Sequence, residues 1–146
     1  MTSRGAWEHF AHGADIGVRG FGSTCAEAFE QAAVALTAVI TEPALVHATA
    51  PVPIRCDAPD PVLLFVDWLN AIVYEMAIGR MLFNCYEVRI GDASNGGLTL
   101  DGVAYGEPVE PVRHQPAVEI KGATHTELRV EERPDGRWLA QCVVDV

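Results

Sequence analysis

An α+β fold, a mostly antiparallel or mixed sheet with two main helices packed on it, is what the sequence predicts, and three observations predict it. Residues 24–41 repeat apolar side chains at helical spacing behind a capping sequence. Residues 60–79 open on Asp-Pro and stay apolar around nearly the whole circumference of a helix. Almost everything after residue 80 reads as short strands punctuated by turn residues. A strand pair, a helix, a strand, a helix and then consecutive strands place the helices over one or both faces of a sheet.

Taken in order, residues 7–22 read as extended chain with a turn at Gly13. Ile16, Val18 and Phe21 suggest a strand ending at Gly20 and Gly22. Thr24 is a good N-cap and Glu27, three residues on, completes a capping box. Phe29, Ala32, Ala33, Leu36, Val39 and Ile40 then recur on one face, and the helix should stop near Thr41, before Pro43. Val52, Ile54 and Cys56 alternate, so 46–57 reads as a strand. Asp60 caps the second helix, Pro61 occupies its first position, and Gly79 is a natural stop. Asp67, Asn70 and Tyr74 form its one narrow polar stripe. Further strands are expected at 81–91, 97–105, 117–124, 126–132 and 137–145. Asn95-Gly96 and Pro134-Asp135-Gly136 mark turns, the latter making 126–145 a hairpin. Residues 106–116 form a proline-rich loop.

A length of 146 residues fits one domain, 1–146, and 49% apolar content suffices for a core without disulfides or structural metal. The net charge is −10, and Lys121 is the only lysine beside nine scattered arginines. That balance argues against sequence-independent binding of nucleic acid, which needs clustered cations. It favours solubility, cations and basic partner surfaces. Cys25, Cys56, Cys85 and Cys142 are far apart, so there is no CxxC pattern, and they read as reduced core residues of a cytoplasmic protein. Met1 to Trp7 has no apolar signal core. The apolar stretch Val62 to Ile78 is interrupted by Asp67, Asn70 and Glu75, which makes it a core helix rather than a membrane span.

Four places could carry chemistry. His9 to Gly17 holds two imidazoles and the Asp15 carboxylate beside glycines, and also fits an Asx-type turn with surface histidines. The strand Trp138 to Val146 is apolar on both faces and so belongs inside the sheet. Asp145 ends it, next to main-chain oxygen at Val146. A buried carboxylate needs a partner or a metal, and hard oxygen donors suit Ca²⁺, Mg²⁺ or Mn²⁺ rather than zinc. A frayed, solvated end is the plainer alternative. Lys121 could balance nearby carboxylates or guard a sheet edge. Glu107, Arg113 and His114 are either functional or simply loop polarity. No GxGxxG, GxxxxGK[ST] or GxSxG sequence occurs.

The ordered set His12-x-Ala14-Asp15-Ile16-Gly17, the helix Ala26 to Ile40, Leu63-Leu64 with Asp67-Trp68-Leu69-Asn70, Gly106-Glu107-Pro108 with Arg113-His114, Glu119-Ile120-Lys121-x-Ala123-Thr124-His125 and Trp138 to Val146 resembles the archease family over nearly the whole chain. Gly13 stands where that family usually has Thr or Ser, and Gly122 and His125 depart from the commonest wording of their motif. The resemblance implies a non-catalytic, cytoplasmic accessory protein that activates an RtcB-type RNA ligase in tRNA splicing or RNA repair, promoting its guanylylation and repeated turnover. It implies a divalent cation, Ca²⁺ before Mg²⁺ or Mn²⁺, held by Asp15, Asp145 and Val146. It also implies a partner-activating surface with Lys121, to which His12, Glu107 and His114 are joined. RNA would be contacted only through the ligase, with no membrane involved. A chaperone-like interaction module is the first alternative. A stand-alone metal-dependent hydrolase using His12 as general base is the second.

Overall fold

The computed structural model describes residues 5–146; residues 1–4, the first part of the segment read as lacking a signal core, lie outside the described residues. The elements are β1 (Ala6–His12), β2 (Asp15–Gly22), α1 (Cys25–Ile40), a 3-10 turn (Pro43–Leu45), β3 (Ala50–Ala58), α2 (Pro61–Gly79), β4 (Met81–Asp92), β5 (Leu98–Pro108), the single turn α3 (Pro111–His114), β6 (Gly122–Ala123), β7 (Arg129–Glu132) and β8 (Trp138–Asp145).

The strands divide between two antiparallel sheets. One runs β1-β2-β8, with β6 and β7 sharing the far edge of β8; the other runs β3-β5-β4. α1 packs on β2 and β8 of the first sheet and on β4 of the second, while α2 packs on β3 and β5 and reaches back to β6. The helices therefore lie between the sheets, and the core forms where they meet them, around Phe29, Leu36, Phe65, Trp68, Phe83 and Val144. Gly20 lets β2 approach α1 closely: a Cβ there would stand 2.3 Å from the Ala28 carbonyl oxygen.

Both helices start where their sequences say. The Thr24 hydroxyl accepts from the Glu27 N–H at 3.1 Å, and Glu27 returns the bond to the Ser23 N–H at 2.8 Å, one residue before the cap. The Asp60 carboxylate accepts from the Leu63 N–H at 2.9 Å ahead of Pro61. At the far end the expected glycine stop is displaced by one residue: Gly79 is still helical, and Arg80 takes the left-handed conformation at φ 51°. β4 begins at once at Met81, so the chain must reverse at Arg80 whatever its side chain.

Several strands depart from expectation. Of 117–124 only Gly122–Ala123 is ladder-paired, because the stretch before it is tied to a helix end, with the Ala117 N–H donating to the Ile40 carbonyl at 2.8 Å. The 126–132 strand begins at Arg129, since Glu127 turns left-handed at φ 52°. The β7–β8 hairpin forms as expected, with Gly136 at φ 85° in its turn. β8 lies inside the sheet, and Leu139 to Val144 are buried on both faces. Cys56 and Cys142 are buried and Cys25 half-buried, but Cys85 is exposed. A register shift between Phe83 and Cys85 turns Tyr86 and Val88 inward and leaves Cys85 and Glu87 outward, which the alternation alone does not reveal. α2 is long and apolar enough to cross a membrane by composition, yet Leu64, Phe65, Trp68, Leu69 and Ile72 are fully buried against the sheets.

Candidate functional site

The β1–β2 turn contains only Gly13 and Ala14, and Gly13 has φ +60°. Glycine at the first central position is what a type II′ hairpin turn asks for. The turn sets His12 directly opposite Asp15. On the other side β2 pairs with β8 so that Ile16 faces Val144, and the next residues outward are Asp15 and Asp145. Beyond β8, Gly122 pairs with Asp145, and the Lys121 N–H donates to the Asp145 carbonyl at 2.7 Å. Residues from four strands thus form one row across the end of the sheet: His12, Asp15, Asp145 and Gly122.

Laterally paired residues share a face. Gly20 and Gly22, on the alternate positions of β2, press against α1, so Asp15 and Asp145 lie on the face turned away from that helix. His9 is on the helix side, where its Nε2 donates to the Ala35 carbonyl at 2.8 Å. Of the two N-terminal imidazoles, only that of His12 belongs to the row. The hairpin is braced behind the row: Arg19 stacks 4.5 Å above the Phe10 ring, pairs with Glu8, and donates from Nε to Gln141 of β8 at 2.7 Å. Val146 packs partly into the core, which fixes the backbone just beyond Asp145.

The row offers two neighbouring carboxylates, main-chain oxygen at Val146 and an exposed imidazole. These are hard oxygen donors in the majority, suited to Ca²⁺, Mg²⁺ or Mn²⁺. Among the described residues no three His, Cys, Asp or Glu side chains converge as a complete ligand set. A six- to eight-coordinate Ca²⁺ would need water, main chain or a partner to fill its shell. Burial pushes the Cys25 and Cys56 thiols up to about 11 and Cys142 to about 12, and raises Cys85 as well.

Glu107 and His114, expected on a partner-facing surface, are instead buried, at 8% and 1% exposure. The Glu107 carboxylate accepts from both Arg113 Nη atoms at 2.7 and 2.9 Å, from the His47 N–H at 2.7 Å, and from His114 Nε2 at 2.9 Å. His114 Nδ1 accepts from the Glu110 N–H at 2.8 Å, so the neutral ring carries its proton on Nε2, facing Glu107. Arg113 also reaches the Leu45 carbonyl and pairs with Glu110. The cluster staples the chain leaving β5, seven residues before Lys121. His47 joins the cluster through its backbone N–H, and its ring Nδ1 lies 3.7 Å from the Glu107 carboxylate, a long-range contact that spacing along the chain does not signal.

The Arg113 guanidinium first, then the His47 N–H, hold the Glu107 carboxyl well below the usual carboxylate range despite the opposing effect of burial. A lowered folded-state value means that its stabilisation is present above the unfolded value of about 4.3 and is lost as pH falls toward the folded one. Glu107→Gln is therefore expected to lower the thermal midpoint at pH 7 and to flatten its decline below about pH 4, so that the two curves converge in acid. Thermal denaturation between pH 7 and pH 2 measures this, and parallel curves would contradict it.

Residues 7–146 match the Archease protein family (MTH1598/TM1083). The protein archease of Pyrococcus furiosus is 38% identical over 140 residues, covering 96% of this chain and 98% of the relative. That of Methanosarcina acetivorans is 34% identical over 147 residues, covering 100% of both. The solution structure of Methanobacterium thermoautotrophicum protein 1598 superposes with a TM-score of 0.84 at 29% identity, covering 97% of this chain and 99% of that one. With the match running through both helices and both sheets, the chain belongs to the archease family.

Proposed function

We propose that this archease-type accessory protein binds a divalent cation, Ca²⁺ in the first instance, and activates an RtcB-type RNA ligase. It does so without catalysing a reaction of its own, by promoting the ligase's guanylylation and repeated turnover in the cytoplasm. The observation that carries the reading is the β2–β8 register, which closes on Ile16–Val144 and so brings Asp15 and Asp145 to the same end of the sheet although they are 130 residues apart in sequence.

Two carboxylates brought to the same end of neighbouring strands repel each other, and a shared cation removes that repulsion. Asp15 and Asp145 would hold the ion, with Val146 adding main-chain oxygen. When bound, such an ion supplies a positive charge that can polarise a phosphoryl oxygen. The net charge of −10 raises the local cation concentration and favours a basic partner surface. Lys121 stands beside the row through its backbone bond to Asp145, and His12 faces Asp15 within it. The Glu107–Arg113–His114 cluster holds the approach to Lys121, so its part is support from within and not contact with the partner.

The test is guanylylation of the host's own ligase, with and without this protein, in Ca²⁺, Mg²⁺ or Mn²⁺. Metal-dependent acceleration with multiple turnover is expected. No acceleration with any of the three ions sinks the reading. Chelator-insensitive suppression of aggregation in unrelated clients would favour a chaperone-like module instead.

A further inference from the structure

The polar stripe on α2, Asp67, Asn70 and Tyr74, lies outside the carboxylate row. One of its members makes a bond that reaches the site. Asn70 accepts from the Ala123 N–H of β6 at 2.8 Å. An N–H can only donate, so the amide oxygen of Asn70 faces the strand. The neighbouring position has no side chain to interfere: a Cβ on Gly122 would stand 3.2 Å from that same oxygen. β6 is only two residues long, too short to hold its place by ladder bonds alone. It is fixed on one side by β8, through the Lys121 N–H to the Asp145 carbonyl at 2.7 Å and the Thr124 hydroxyl to the Val143 carbonyl at 2.7 Å. On the other side the helix holds it through Asn70.

We propose that Asn70 is a positioning residue: by anchoring β6 to α2 it sets where Lys121 and the Asp145 backbone stand relative to Asp15. The rigid helix buried between the sheets thereby transmits its position to the carboxylate row. Asn70 is itself exposed on the helix surface, so its side chain is not needed for the core.

The test uses the full chain and two substitutions. Asn70→Ala removes the acceptor while raising helix propensity, so a weakened helix cannot account for its effects. Asn70→Asp keeps an acceptor oxygen in the same place. In metal-free protein, amide exchange at Lys121 and Ala123 is expected to be about tenfold faster in Asn70→Ala, the loss of one net hydrogen bond, with the thermal midpoint nearly unchanged. Asn70→Asp should restore slow exchange. Unchanged exchange in Asn70→Ala, or exchange in Asn70→Asp as fast as in Asn70→Ala, overturns the proposal.

A second measurement rests on the cation reading given above. Ca²⁺ titration should show affinity about tenfold weaker in Asn70→Ala, as for other residues that orient metal ligands, and recovered in Asn70→Asp. Equal affinity in wild type and Asn70→Ala overturns the positioning role. Absence of Ca²⁺ binding in the wild type overturns the cation reading, and the exchange comparison then decides the role of Asn70 by itself.

Discussion

Asp15→Asn and Asp145→Asn are each expected to weaken Ca²⁺ binding by about a hundredfold, and the double variant to abolish it. Each substitution keeps the shape of the side chain and removes one of only two neighbouring carboxylates, in a row where no third acidic, histidine or cysteine side chain completes a ligand set among the described residues. A Ca²⁺ ion held by two charges loses half its direct charge compensation with either. The same variants should act in the opposite direction on the metal-free protein. Without metal, neutralising one of two carboxylates at the same end of the sheet removes no stabilising contact and lessens like-charge repulsion by at most about 0.5 kcal/mol, so the metal-free thermal midpoint should rise slightly or hold. Calorimetric titration measures the first effect, and thermal melts in chelator and in excess Ca²⁺ measure the second. A wild type stabilised by Ca²⁺ beside variants that melt alike with and without it is the expected pattern. Unaltered Ca²⁺ affinity in both single variants would remove these residues from any cation site.

Trp68→Ala is expected to destabilise the protein by about 3–5 kcal/mol, the range for emptying a buried aromatic site. Trp68 is the largest fully buried side chain, on the inner face of α2. Its ring occupies the space over Gly102 of β5, where a Cβ would stand 2.7 Å from the indole, and it meets the Tyr86 ring edge-on at 6.0 Å. Its Nε1–H donates to the Phe29 carbonyl of α1 at 3.1 Å. One side chain therefore links α2, α1 and the second sheet. A loss of that size is a large fraction of a typical domain's stability of about 5–15 kcal/mol and should lower the melting temperature by about 10 °C. Trp68→Phe keeps most of the ring and forfeits the hydrogen bond, for about 1–2 kcal/mol. Thermal or urea denaturation separates the two, and a fall of only a few degrees for Trp68→Ala would mean that the site collapses around the loss.

Much of this architecture is legible in the residues because its signals are local. The caps at Thr24 and Asp60 are hydrogen bonds spanning three residues, and they form where the sequence places them. The apolar faces of α1 and α2 and the hairpin at Asp135-Gly136 are equally short-range. Where local signals gave out, expectation and structure part. β6 shrinks to two residues because the stretch before it is tied at Ala117 to a helix carbonyl and not to a strand. Cys85 faces outward because a single bulge reset the alternation of β4. Glu107 and His114 are buried because a bidentate arginine and a backbone N–H from residue 47 satisfy the carboxylate, and that compensation leaves no trace in spacing.

By itself the sequence determined the α+β class, both helices with their boundaries to within a residue or two, and the interior placement of β8, and it singled out Asp15 and Asp145 as candidates. Only the tertiary structure decided that there are two sheets with the helices between them, that the two aspartates share one row and one face, and that Asn70 reaches β6. The physical reason is range. Caps, turns and periodicity act over a few residues and are written in order along the chain, whereas strand register and side-chain contacts between distant segments depend on how whole elements pack, which no short window of residues encodes.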